Sequence, residues 1–593
     1  MSSLLFQTVL RKSTVQQSRL YLVRFMASQA PRPRATPPSP PPNLVPPPAS
    51  RNMKVRYNRK QAIRLLMIIS VCVGVGTLLD QLLTSDLQRR AAKVLSDKGL
   101  TEGTSTTQLS SLESPEYANA SATAEAYAEL TTLLGKENVS ATVDDIASHA
   151  DSAWISHHAA AGQAPGIVVF PQSTEEVSQI LKVCHKHKVP IVPFSGGTSL
   201  EGHFIQTRNG VTIDFRRMAS VLTLHEEDLD VVVQPGMGWE NLNEYLKPHG
   251  LFFPPDPGPG AEIGGMIGTG CSGTNAARYG TMREWVLSLT VVLADGTIVK
   301  TRQRPRKSSA GYNLTNLIIG SEGTLGVVTE ATLKLAVLPQ STSIAVATFP
   351  TIGQASKTAQ DLVRQGVPVG AVELLDKEMM QCVNQAGQTT RTWREEPSLF
   401  LKFGGTKSGV KEQIGQTKAI AKQNGSNSFV FASSEAECTE LWEARKEALW
   451  STLAMGADEG MTCWTTDVAV PVSRLAEVVT STREDMDKSG IKGTIVGHVG
   501  DGNFHAFILY NDANKSVAEG VVHRLVERAI EMEGTCTGEH GVGMVKRPYL
   551  QSELGEATID TMRRVKMALD PLRLLNPDKV ISIDPKEVMH KLD

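Results

Sequence analysis

No two cysteines of this chain form a C-x-x-C pair, and the seven present (72, 184, 271, 382, 438, 463 and 536) are scattered. That excludes a disulfide framework and a thiolate metal site. Gly-Lys is never followed by Ser or Thr, so there is no P-loop. Residues 1–79 contain neither Asp nor Glu but hold twelve Lys and Arg, which leaves the remainder with 48 basic against 62 acidic side chains. An acidic body argues against nucleic acid as a partner. The apolar run Leu65–Leu79 stops at fifteen residues, short of the ~20 that span a bilayer.

At 593 residues the chain exceeds one core, and two or three domains are expected; 41% hydrophobic and 21% charged residues describe ordinary globular protein. Residues 1–60 join an acid-free, Ser-, Arg- and Gln-rich leader of transit-peptide composition to a spacer, Pro31 to Pro48, holding ten of the 31 prolines. Ala62 and Ile63 before the apolar run, and Leu82 and Leu83 after it, extend it to 62–83, an anchor or sorting helix. Lys54, Arg56, Arg59, Lys60 and Arg64 precede it and Asp80 and Asp86 follow. The positive-inside bias then leaves the N-terminus in the matrix and the body on the inner mitochondrial membrane, facing the intermembrane space. Residues 84–154 read as a helical lead-in.

From Gly166 the texture changes. IVVF (167–170), a helix opened by Ser173-Thr174-Glu175-Glu176 and ending at His187, and IVPF (191–194) make a β-α-β unit with a capping-box start. Glycine-rich stretches follow: Ser195-Gly196-Gly197-Thr198-Ser199-Leu200-Glu201-Gly202-His203, then residues 254–280, then Gly320, Gly323 and Gly326 before a strand near Val327. Consecutive glycines let backbone N–H groups converge on phosphate without a basic side chain. Gly268-x-Gly270-x-x-Gly273 matches the dinucleotide fingerprint in form only, because it follows Pro257-Gly258-Pro259-Gly260 instead of a buried strand. VLSLTVVLADGTIV (286–299) reads as a hairpin around Ala294-Asp295-Gly296.

The residues with most chemistry lie in GTIVGHVGDGNFHAFILY (493–510) and GEHG (538–541). Asp501-Gly502 favours a two-residue type I′ turn, which pairs Gly500 with Asn503, Val499 with Phe504 and His498 with His505. Directly opposed residues share a face with Cβ atoms roughly 4.5–5.5 Å apart. Two imidazoles so placed, with Glu539 as a third ligand, suit a divalent cation: Zn first, with Mn and Co also compatible.

PFSGGTSLEGH, GGMIGTGCSGTNAARYGTMREWVLSL, GYNLTNLIIGSEGTLGVVTEA, GHVGDGNFH and TGEHGVGMVKRPYL together resemble the D-lactate dehydrogenase (cytochrome) group, flavoproteins of the vanillyl-alcohol oxidase/PCMH superfamily. The resemblance covers about residues 150–585. It implies an α+β fold: a PCMH-type FAD-binding domain of two subdomains (155–340), an antiparallel-sheet cap domain carrying substrate and metal (341–560), and a C-terminal segment returning to the flavin (561–593). It implies FAD contacts at Pro193, Ser195, Gly196, Gly197, Thr198, Ser199, Gly202, His203, Pro257, Gly265, Thr269, Gly270, Ser272, Gly273, Gly323, Gly326, Val328 and Asn576. Covalent relatives carry His directly after Ser-Gly-Gly; Thr198 stands there in this chain, so FAD is expected to be non-covalent. His540 is implied as the base, Arg445, in a W-x-x-R pattern, as the substrate-carboxylate partner, and Asn503 as a further substrate contact. Relatives acting on 2-hydroxyglutarate carry Lys where this chain has Thr465, which favours a monocarboxylate. The resemblance thus implies oxidation of D-lactate with electrons passed to cytochrome c. A D-2-hydroxyglutarate or glycolate dehydrogenase is the same-fold alternative, and a zinc hydrolase the alternative of another class.

Overall fold

The computed structural model describes residues 104–152, 155 and 157–587. The leader, the spacer and the expected anchor at 62–83 lie outside these residues. Among the described residues no helix is long and apolar enough to cross a membrane.

The first sheet grows from apolar runs too short for helices. Helix α1 (Ala120–Leu134) precedes β1 (Val139–Ser140) and β2 (Ile167–Val169); α2 (Thr174–His187) leads to β3 (Ile191–Phe194), and β4 (Val211–Asp214) follows. The order is β1-β2-β4-β3, with β4 inserted in parallel between the two strands of the expected β-α-β unit. Helices α1 and α2 cover one face of this sheet, on which the alternate residues Ile167, Val169, Ile191, Val211 and Ile213 pack into a shared apolar core. Ser173 caps α2, its Oγ accepting the Glu176 N–H at 3.2 Å. The Glu176 carboxylate accepts from Gln172 N instead of Ser173 N, so the capping box is only half made.

The second sheet is antiparallel. It consists of β5 (Val221–His225), β6 (Asp230–Val233), then after the short helix α3 (Ile263–Thr269), β7 (Val286–Val292), β8 (Ile298–Lys300) and β9 (Val327–Lys334), in the order β5-β6-β9-β7-β8. The expected hairpin at 294–296 is β7–β8, Val292 opposing Ile298. Helix α3 ends at Gly270, which adopts φ 70°. The formal dinucleotide match therefore falls where a helix stops, not where one starts.

The third sheet has eight strands: β10 (Ser341–Thr348), β11 (Ala371–Leu375), β12 (Ser398–Gly405), β13 (Ser428–Phe431), β14 (Thr462–Thr465), β15 (Val468–Ala469), β16 (Gly493–His498) and β17 (Asn503–Tyr510). Its path is β13-β10-β12-β11-β16-β17-β14, with β15 also on β17. One face carries Ala345, Val372, Leu401, Ile495, Phe504 and Ile508 into the largest apolar core. On the other, Phe400, Val496 and Phe507 pack with Leu441 and Ala444 of helix α4 (Glu435–Lys446). The polar end of this second face holds the candidate site.

Helix α5 (Glu556–Leu569) brings the chain back to the first sheet. Ile191 N donates to Leu574 O and Asn576 N to Ile191 O. The buried Lys566 ammonium spends all three protons, on Thr324 O, Leu575 O and the Asp570 carboxylate. A buried charge is tolerable only when so fully bonded.

Candidate active site

Strands β16 and β17 pair Val496 with His505, Ile495 with Ala506 and Thr494 with Phe507. The connection is therefore residues 499–502, four residues instead of two, and the expected opposition of His498 to His505, Val499 to Phe504 and Gly500 to Asn503 is wrong by two positions. The cause is tertiary. Strand β15 pairs with Phe504 and Asn503, and Val470 N donates to Gly502 O at 3.1 Å, so the turn must also fit a third strand. Only Gly502 of the Asp-Gly pair takes positive φ (88°), whereas a type I′ turn needs both. A slip of two keeps every side chain on its face, where a slip of one would have reversed them. His498 and His505 thus remain neighbours, now diagonal, with ring centroids 5.5 Å apart.

Glu539 closes the group. Its Oε1 lies 3.0 Å from His498 Nε2 and 3.2 Å from His505 Nε2. Both imidazoles are fixed from behind: His498 Nδ1 is 2.9 Å from Glu373 Oε1, and His505 Nδ1 is 2.9 Å from Thr466 O. A carbonyl only accepts, so His505 carries its proton on Nδ1 and, when neutral, directs the Nε2 lone pair at a carboxylate. Lone pairs converging on a carboxylate oxygen need a cation between them. Without one, that place falls to a proton: burial opposes charge on His498, yet Glu373 and Glu539 hold its pKa well above the ordinary range. The donor set, two imidazoles each anchored through the far nitrogen plus a carboxylate, is the form that divalent metals take, and the ligand atoms lie within 4.8 Å of one another.

His540 stacks on His505, centroids 5.0 Å apart and planes 8° from parallel. Behind it, Glu201 Oε1 is 3.7 Å from His540 Nδ1 and 3.3 Å from the Lys546 ammonium. Burial opposes charge on His540, but Asp467 and Glu201 raise its pKa. Asp467 fixes the loop. Its carboxylate accepts from the backbone N–H of Glu539 and of His540, both at 2.9 Å, from Thr537 Oγ1 at 2.8 Å and from Asn503 Nδ2 at 2.7 Å. Burial works against this charge, yet His540 and Lys546 keep the carboxyl far below its usual range. Asn503 gives its other amide proton to Val468 O, so only its buried, unpartnered Oδ1 is left for a ligand. The amide is first of all a tie between hairpin and loop.

Arg445 sits in the last turn of α4 and gives Nε to Glu373 Oε2 at 2.7 Å. Its terminal amino groups have no hydrogen bond among the described residues. Thr465 opposes Phe507, which puts it on the face of His505.

Beside this group a cavity opens between the loop after β3, helix α3 and the start of β9. Pro193, Ser195, Gly197, Ser199 and His203 line it from the first side, Gly265 and Thr269 from α3. Gly323, Gly326, Val328 and Asn576 complete the expected set on its wall. Gly196, Thr198, Gly202, Pro257, Gly270, Ser272 and Gly273 stand off the wall. Ser272 instead donates to Glu539 Oε2 at 2.6 Å. The cavity suits a diphosphate-bearing flavin: the loop that reaches its wall at Gly197 has consecutive Gly196 and Gly197 at φ 75° and 63°, and Asn576 Oδ1 and both His203 ring nitrogens are buried without a hydrogen bond. The two sites touch. Glu322, on the cavity wall, accepts from Val542 N and Gly543 N at 2.6 and 2.9 Å, just past His540.

Glu373, Asp467 and Glu201 escaped the sequence reading. Glu373 had a visible signal, a lone acid inside the apolar strand AVELL.

The chain matches the FAD binding domain over residues 165–302 and the C-terminal domain of FAD linked oxidases over 338–580. It is 52% identical over 492 residues, 82% of this chain and 85% of the relative, to a mitochondrial D-lactate dehydrogenase [cytochrome] of Kluyveromyces lactis. Among solved structures it resembles 4-ethylphenol oxidase of Gulosibacter chungangensis, with TM-score 0.67 and 19% identity over 80% of this chain and 99% of the other. p-Cresol methylhydroxylase follows at TM-score 0.64 and 16% identity over 79% and 99%. At such identities the likeness concerns the fold alone.

Proposed function

The chain belongs to the FAD-linked oxidases, in the mitochondrial D-lactate dehydrogenase (cytochrome) group, and on that premise we propose that it oxidises D-lactate to pyruvate and hands the electrons to cytochrome c. One observation carries this reading: the converging His498, His505 and Glu539, with His540 stacked beside them, are docked through Glu322 against the cavity that suits a flavin. The cavity lined by Ser195, Gly197, Thr269 and Asn576 would hold non-covalent FAD, which would supply a hydride acceptor, and His498, His505 and Glu539 would hold a divalent cation, which would supply Lewis acidity at the hydroxyl oxygen.

The chain's own residues do the rest. Arg445, oriented by Glu373, pairs its free amino groups with the substrate carboxylate. The Glu201 charge, 3.7 Å from His540 Nδ1, favours a proton on that nitrogen, which leaves Nε2 to take the hydroxyl proton. Asp467 holds His540 and Glu539 by their backbone, which fixes base and ligand relative to each other. Gly196 and Gly197 belong to the loop that receives the diphosphate, and Glu262, at the start of α3, packs against it.

A second reading, oxidation of a dicarboxylic 2-hydroxy acid such as D-2-hydroxyglutarate, draws support from Lys402. Its ammonium lies on the face of Glu373 and His498, 3.2 Å from Asn275 Oδ1 and 4.8 Å from the centre of the Trp442 ring, one helical turn from Arg445. Its neighbours already occupy it, which favours the monocarboxylate. Steady-state kinetics separate the two: kcat/KM is expected to be higher for D-lactate, and a higher value for D-2-hydroxyglutarate overturns the assignment.

The leader, the apolar segment and the positive charges before it support an inner-membrane enzyme facing the intermembrane space. In mitoplasts the body is then open to added protease; a body that stays protected contradicts that orientation.

A further inference from the structure

Ser195 opens the glycine loop on the cavity wall, and its hydroxyl has one proton but two oxygen neighbours. One is Pro235 O at 2.8 Å, the other Glu262 Oε2 at 3.0 Å. A carbonyl cannot donate. If Ser195 gives its proton to Pro235 O, the Glu262 contact is a hydrogen bond only when the carboxyl group itself carries a proton.

The surroundings agree. Glu262 precedes α3 but does not cap it, and its backbone is packed so closely against Gly196 that a Cβ there would lie 3.1 Å from Glu262 N. The charged groups facing it are Asp214 and Arg216 from the end of β4, with His149 behind Asp214 at 2.8 Å. Glu240 reaches the same turn through Gly260 N at 3.1 Å. Arg216 is engaged by the Asp214 carboxylate at 2.6 Å, so its pull on Glu262 is weaker than the effect of burial. Burial, helped by the Asp214 charge, pushes the Glu262 carboxyl up to about 7 and outweighs the hydrogen bonds of Ser195 and the Gly196 N–H and the pull of Arg216.

We propose that Glu262 serves the diphosphate loop as a neutral carboxylic acid, so that taking up FAD takes up a proton at this residue. The inference rests on the reading of the cavity as the FAD site. Ionised, Glu262 would set a negative charge against Gly196 and hold its N–H, in the loop read as receiving a dianionic diphosphate. Protonated, it adds no charge beside Gly196 and gives Ser195 its second hydrogen bond. The sign follows from linkage. The proton-bearing form binds FAD more tightly, so affinity is level below neutral pH and weakens as pH rises through the Glu262 titration, by at most about tenfold per pH unit.

The test is flavin release from diluted holoenzyme, read by the fluorescence of free FAD between about pH 6 and 8.5, for wild type and Glu262→Gln. Wild-type Kd is expected to rise roughly tenfold over that interval, while E262Q, an uncharged isostere, binds with a Kd that changes less than about twofold. Parallel curves, or a wild-type Kd level with pH, overturn the role of Glu262 and leave the FAD site standing. Failure of the wild type to hold FAD at any pH overturns both. Because a misfolded E262Q would also release flavin, a second measurement uses wild type only: calorimetric titration with FAD slightly above neutral pH in two buffers of different ionisation heat. A net proton uptake supports the assignment, and none overturns it.

Discussion

Glu539→Gln is expected to lower kcat for D-lactate by roughly 10³-fold, because a Lewis acid supplies several kcal/mol of charge stabilisation at the reacting oxygen. The substitution keeps the shape and the Ser272 contact of the side chain but removes the anion on which His498 and His505 converge. Divalent metal per chain, measured by elemental analysis, should fall with activity while flavin content stays level. The loop should remain in place, since Asp467 holds it through backbone N–H groups that the substitution does not alter. Full activity without bound metal would remove the ligand role of Glu539.

His540→Asn is expected to cost about 10²–10⁴ in kcat, the usual worth of a positioned general base. Its companion effects differ from those of Glu539→Gln. Metal content should be unchanged, KM should move little because Arg445 and Glu373 are untouched, and added imidazole should restore part of the rate. The alternative base on this face, Asp467, is committed to four donors and held strongly ionised. An H540N enzyme with near-normal kcat would transfer the role of base to another group.

Much of this was legible in the chain because the signals are local. The strand at Ile191–Phe194, the Ser173 cap and the β7–β8 hairpin depend on runs of a few residues. The partnership of His498 and His505 was legible for a subtler reason: strand parity survives a register error of two. The register itself was not, since it is set by β15, a strand some thirty residues upstream whose Val470 fixes Gly502. Glu373 reaches His498 across 125 residues through the pairing of β11 with β16, and Asp467 ties a loop seventy residues further on. No local pattern announces such ties. Of the expected flavin contacts, Gly197 and Gly323 lie on the cavity wall whereas Thr198 and Pro257 do not, and Ser272 donates to Glu539.

Anaerobic reduction of the bound flavin by D-lactate, followed as bleaching of its visible absorption before and after chelation of divalent metal, is the most direct test of a flavin and a metal site acting on one substrate. Rapid bleaching by the D enantiomer alone, lost on chelation and regained on adding metal back, is the predicted result. Bleaching that proceeds unchanged in the chelated enzyme, or no bleaching by D-lactate at all, would contradict it.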